Sequence, residues 1–139
     1  MRRSIHRGLL PVMLVVLTGW ACNNNSSSST PTQPTQTVTE TFSGNLNQNG
    51  AATYPFVAQA SGTVTATLTS VGPDSTLVIG MSLGTWNGTA CTIVIANDNA
   101  TQGSALSGSL SSSGNFCVRV YDVGHIVDPA SFTVAIVHP

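Results

Sequence analysis

Asp122, His125 and Asp128 recur at three-residue spacing within Asp122-Val123-Gly124-His125-Ile126-Val127-Asp128. Two carboxylates and an imidazole are metal-ligand types, and a loop could in principle converge them on one cation. The competing reading makes Asp122 and Asp128 turn formers, with Asp128-Pro129 a loop signal and His125 a solvated side chain. We adopt the turn reading and expect no metal and no cofactor. Asn97-Asp98-Asn99 also offers oxygen ligands, but one carboxylate is too few for tight calcium binding, so this stretch reads as a turn that ends a strand. No Gly-x-Ser-x-Gly, His-Glu-x-x-His or phosphate-loop pattern occurs, and we expect no catalytic residues. A hydrolase with a dispersed site is the enzyme alternative, and it would depend on His125. Trp86 and Tyr121 have the flat faces that sugar rings stack on, so a secreted carbohydrate- or matrix-binding module is the other alternative. Core or edge packing is the competing use of both aromatics.

Three cysteines, Cys22, Cys91 and Cys117, are an odd number for an exported chain. Export is read from the N-terminus. Arg2, Arg3 and Arg7 precede an apolar run from Leu9 to Leu17, and small residues follow. That order is a secretory signal peptide, residues 1–21. The run falls short of the roughly 20 apolar residues that a spanning helix needs. With Cys22 directly after it, the segment resembles that of a bacterial lipoprotein, in which the cysteine thiol takes a lipid and becomes the mature N-terminus. Ala21 fits that pattern, whereas Gly19 and Trp20 depart from it. Gly19-Trp20-Ala21 equally satisfies an ordinary signal peptidase, which would leave a secreted protein with a spare thiol. Lipidation of Cys22 would leave Cys91 and Cys117 as a pair for a disulfide in an oxidising compartment; two buried free thiols are the alternative. Asn23 rather than aspartate follows Cys22, and the resemblance then implies an outer-membrane or cell-surface location.

Residues 22–37 consist of the anchor cysteine and NNNSSSSTPTQPTQT, which has no charge and no apolar side chain besides proline. Such a stretch cannot bury enough apolar surface to offset the entropy of ordering, so it is expected to be a disordered tether. From Val38 onward, Arg119 alone stands against Glu40, Asp74, Asp98, Asp122 and Asp128, a net charge of −4. Lysine is absent from the whole chain. Without a basic stripe for phosphates, a nucleic-acid partner is excluded. The partners expected are the membrane, through the lipid anchor, and a polysaccharide or an extracellular protein.

The elements that must position these residues are strands. Residues 38–139 hold short β-branched runs punctuated by Gly, Asn, Asp and Pro, and no helical periodicity. The runs are Val38–Ser43, Ala52–Ala58, Ser61–Ser70, Thr76–Leu83, Cys91–Ala96, Ser104–Leu110, Asn115–Asp122 and Ser131–His138. In Ser61–Ser70, Val64, Ala66 and Leu68 alternate with threonines. Cys91–Ala96 is nearly continuously apolar and is expected in the centre of a sheet. Eight strands predict an all-β, single-domain, jelly-roll-like antiparallel sandwich. Alternation puts Phe116, Val118 and Val120 in the core, and Cys117 outside with Arg119 and Tyr121. A bulge, or an outer-face pair on neighbouring strands, would let Cys117 reach Cys91.

Phe42-Ser43-Gly44, Tyr54-Pro55-Phe56, Ala60-Ser61-Gly62-Thr63-Val64, Gly114 to Asp122 and Phe132-Thr133-Val134 follow one another in an order that resembles the bacterial pre-peptidase C-terminal (PPC) domain. The resemblance covers about Thr39 to Val137. Thr53 stands where that family usually has aspartate before the tyrosine. The resemblance implies a small, non-catalytic, accessory β-sandwich; some members bind calcium through acidic residues near the domain start, where this chain has Glu40 alone.

Overall fold

The computed structural model describes residue 34 and residues 36–139. The export segment, Cys22 and almost all of the tether lie outside the described residues.

Eight strands follow in order: β1 Val38–Leu46, β2 Ala51–Ala58, β3 Gly62–Gly72, β4 Ile79–Trp86, β5 Cys91–Ala100, β6 Ala105–Leu110, β7 Gly114–Tyr121 and β8 Ala130–His138. They form two antiparallel four-stranded sheets, ordered β1-β8-β3-β6 and β2-β7-β4-β5. That is the strand order of a jelly roll, so the predicted all-β sandwich is the fold observed. Every link between consecutive strands crosses from one sheet to the other except β4–β5, a hairpin. Asn87 builds its turn, with Oδ1 accepting the Thr89 and Ala90 N–H at 2.9 and 2.8 Å.

Alternation fixes the core. Val64, Ala66 and Leu68 of β3 face Phe132, Val134 and Ile136 of the neighbouring β8 and Val118 and Val120 of the opposite sheet's β7, all buried. A register shift at Thr69 brings Val71, three residues after Leu68, back onto the buried face. At the far edge Glu40 Oε1 lies 3.0 Å from Nε2 of buried His138, whose ring packs on Phe56 at 5.0 Å.

Three sequence expectations are corrected. The fourth strand begins at Ile79, not Thr76, because Asp74 Oδ1 accepts both the N–H and the hydroxyl of Thr76 and winds residues 74–77 into a turn. Cys91–Ala96 is not central: β5 is an edge strand, with Ile93 43 % and Val94 70 % exposed. The strand buried on both faces is β4, in which Ile79, Met81 and Leu83 alternate with Gly80, Ser82 and Gly84. A continuous apolar run therefore did not mark double burial; an apolar–small alternation did, because small residues let neighbours close over the outer face. Finally, Asn97-Asp98-Asn99 does not end β5. It forms a bulge within it, where Ala100 pairs with Ile79 and Asn97 with Met81.

Candidate functional site

The two sheets part along one side of the sandwich, where β5 and β6, each the last strand of its sheet, lie across from one another. A cleft of about 460 Å³ opens there. Phe56, Leu83, Ile95, Leu110 and Phe116 make its floor and walls, and Ser109, Ser111, Ser112 and Asn115 contribute polar groups. No lining residue carries a charge. The size lies within the roughly 300–1,000 Å³ usual for ligand sites, and an apolar lining with a few polar groups is their usual chemistry. Gly108 keeps the β6 wall bare. It occupies a core-facing position between Leu106 and Leu110, and a Cβ there would stand 3.3 Å from Ile95 Cδ1.

The residues singled out by sequence lie elsewhere. Asp122 follows β7 and closes a loop with its carboxylate: Oδ1 accepts the N–H of Gly124, His125 and Ile126 at 2.8, 2.9 and 3.1 Å. Oδ2 accepts the N–H of Asn49, which has φ 58°, at 2.8 Å. His125 and Asp128 are exposed on the same loop. Among the described residues no three His, Cys, Asp or Glu side chains are grouped so that they could hold a metal ion. Glu40 is engaged by His138.

Desolvation is the largest single influence on Asp122 and opposes ionisation, but the four N–H donors together outweigh it and hold the carboxyl below its ordinary range. The folded value is thus below the unfolded one. The stabilisation is present above about pH 4 and is lost as pH falls through the lowered folded value. Hydrogen bonds to a charged group contribute about 1.5–3 kcal/mol each when well shielded, and solvent screening reduces that here. Asp122→Ala is expected to cost about 2 kcal/mol at pH 7. Urea denaturation at pH 7 and pH 2.5 checks this: the gap between the two proteins should narrow sharply in acid.

Tyr121 lies flat over Gly80 of β4, so close that a Cβ there would collide with the ring. Its hydroxyl donates to Asp98 in the β5 bulge, and the Arg119 guanidinium sits 5.6 Å from the ring centre. Burial first, then the Asp98 bond and charge, push the phenol up to about 12 against the opposing pull of Arg119. Tyr121 therefore clamps three strands of one sheet. Trp86, half-buried, ends β4 beside the hairpin turn. In register Tyr121 pairs with Gly80, six residues from Trp86, about 20 Å along the strand at ~3.3 Å per residue. The two candidate platforms do not converge.

Cys91 and Cys117 form a disulfide with 5.9 Å between their Cα atoms. Their strands, β5 and β7, are not neighbours; β4 runs between them. The bridge is possible because the start of β5 crosses the outer face of β4 at Gly84, where a Cβ would collide with the Thr92 carbonyl oxygen. The crossing begins at a register shift that leaves Val94 unpaired, between Leu83–Ile95 and Gly84–Ile93. The bulge and the outer-face pairing anticipated as alternatives occur together, but across an intervening strand.

Sequence reading missed the cleft, since its residues come from six strands and carry no motif. A glycine among alternating core residues of β6 was the one local signal, because strand glycines often mark close approach by a ligand or another backbone.

Fold and cleft together define a jelly-roll sandwich with an apolar opening along one edge. No family model and no curated protein matches this chain. Solved structures that share the fold include the following two. Aeromonas hydrophila PliG, a periplasmic lysozyme inhibitor of g-type lysozyme, is 18% identical over 70% of this chain and 83% of that one, with a TM-score of 0.51. The Yersinia pseudotuberculosis-derived mitogen is 12% identical over 73% and 86%, with a TM-score of 0.55. At such identities the likeness is one of fold.

Proposed function

We propose that this chain is a non-catalytic envelope lipoprotein, anchored through a lipid on Cys22, whose sandwich is an accessory binding domain for an extracellular protein. The observation that carries the reading is the uncharged apolar cleft at the paired sheet edges, which offers a surface to bind and sets no acid or base beside its serine hydroxyls to activate them. The shared fold with an exported protein that inhibits an enzyme adds support: a sandwich of this kind serves there as a protein-binding module. Residues 1–21 are the signal, 22–37 the spacer and 38–139 a domain resembling the pre-peptidase C-terminal type. In a chain with this layout the tether holds the cleft away from the membrane.

Mass spectrometry of the chain expressed in a bacterium with two membranes tests the anchor. A diacylglyceryl group on Cys22 and recovery in the outer-membrane fraction are expected, with Cys22→Ala released as a soluble exported protein. An uncut N-terminus in the cytosol would end the proposal. A photo-crosslinker at Ser109, exposed at the cleft, should yield an adduct with an exported protein in intact cells; adducts formed equally well from exposed Thr53, on the opposite side, would remove the cleft from it.

A further inference from the structure

We infer that the cleft takes an uncharged, β-branched strand of the partner protein, which pairs along the free edge of β6 and drops alternate side chains between the sheets. This rests on the binding-domain reading, though not on how the chain is anchored.

The two strands that border the cleft differ as edges. Natural sheet edges are protected by charges, prolines, bulges or short length. β5 is protected: it bulges at Val94 and again at Asp98–Asn99, and its start is drawn over β4 by the disulfide. β6 is not. Its six residues, Ala-Leu-Ser-Gly-Ser-Leu, include no charge and no proline, and they pair with β3 in unbroken register from Ala105–Thr67 to Leu110–Gly62. Its other side has no partner strand among the described residues. A regular, unguarded edge beside an apolar opening is what strand addition requires: main-chain bonds supply affinity, and alternate pockets supply specificity.

Gly108 marks the pocket. Its neighbours on the same face, Leu106 and Leu110, fill their places, whereas only Ile95 Cδ1 and Val64 Cγ1 approach the place its Cβ would take, at 3.3 and 3.7 Å. That place is already closed by Ile95, so a guest side chain would lie beside the bare Gly108 backbone, at the cleft mouth, against Ile95, Leu110 and Phe116. Charge sets the rest of the guest's chemistry. The lining is wholly uncharged, so a charged side chain entering it would lose water without gaining a partner. The domain around it carries one arginine and five carboxylates, which favours basic residues flanking the inserted segment.

The probe is a set of capped peptides in which Val, Ile, Leu or Phe alternates with Thr over eight positions, with one lysine at each end. Their binding to the purified exported chain is followed by fluorescence anisotropy. At least one member is expected to bind, and N-methylation of the amides on its pairing side should weaken it at least ten-fold. Replacing its inward residues by aspartate should do the same. Gly108→Val, whose added side chain meets the movable Ile95 Cδ1 at 3.3 Å, should weaken binding at least ten-fold in a protein that circular dichroism shows still folded. Should that variant misfold, Ser109→Pro, at an exposed position of the same edge, provides the second test. Equal binding of methylated and unmethylated peptides overturns the pairing. Failure of every peptide, including with dodecanoate bound in their place, overturns the strand as occupant. Peptide binding by a chain found unlipidated would spare this inference and end only the anchoring proposal; a lipidated, cross-linking chain that ignores all peptides would do the reverse.

Discussion

Replacing Cys91 and Cys117 together by alanine is expected to lower the stability of the domain by about 3–4 kcal/mol, the chain-entropy value for a closed loop of this length. The cysteines are 26 residues apart in sequence, and their bridge restricts the unfolded chain over that interval. In the folded state it also holds the start of β5 across β4, where Ile93 and Val94 are largely exposed and supply little burial of their own. The loss should therefore be felt first at the β4–β5 hairpin. Urea denaturation of the oxidised protein, the reduced protein and the alanine pair measures the effect. Coincident midpoints for the three would contradict it. Amide exchange should show residues 91–94 opening in the bridgeless protein before the remainder unfolds.

Gly84→Ala is expected to cost about 3 kcal/mol, at the upper end of the overpacking range. The added Cβ meets main chain, the Thr92 carbonyl, rather than the movable tip of a side chain. No rotamer change relieves it; β5 must lift. The two predictions are coupled, because the bridge, together with the pairing of Cys91, Thr92 and Ile93 with Trp86, Thr85 and Gly84, holds β5 against Gly84. In the protein without Cys91 and Cys117 the same substitution should cost no more than about 1 kcal/mol, a coupling of the size found between residues in direct contact. Equal costs in both backgrounds would show that the crossing is held by something other than the disulfide.

Most of the fold was legible in the sequence. Period-two alternation in Ser61–Ser70 placed β3 on the correct face, the run at Ser131–His138 located β8, and turn residues such as Asn87-Gly88 separated the strands where they do separate. The misreadings share a cause. Whether an apolar run is covered depends on what lies over it, and that is settled by strands distant in sequence. Cys91–Ala96 is apolar yet borders its sheet; in β4 apolar residues alternate with small ones, and its outer face is covered by Tyr121 and by the beginning of β5. Asp98 read as a turn former because a strand bulge and a turn favour the same residues, while its partner Tyr121 lies two strands away. The cleft had no sequence signature: a void between two sheet edges is a property of the absence of side chains, and Gly108 was its only trace.

The pairing of β1 with β8, in register from Val38–His138 to Leu46–Ala130, joins the first and last strands of the domain. β1 cannot find its partner until residue 138 has been made, so the sheet β1-β8-β3-β6 closes only when the last strand is available. Contacts of such long sequence separation form slowly, on the order of milliseconds to seconds. In an exported chain of the kind proposed above, that delay keeps the polypeptide extended while it is threaded through a translocon.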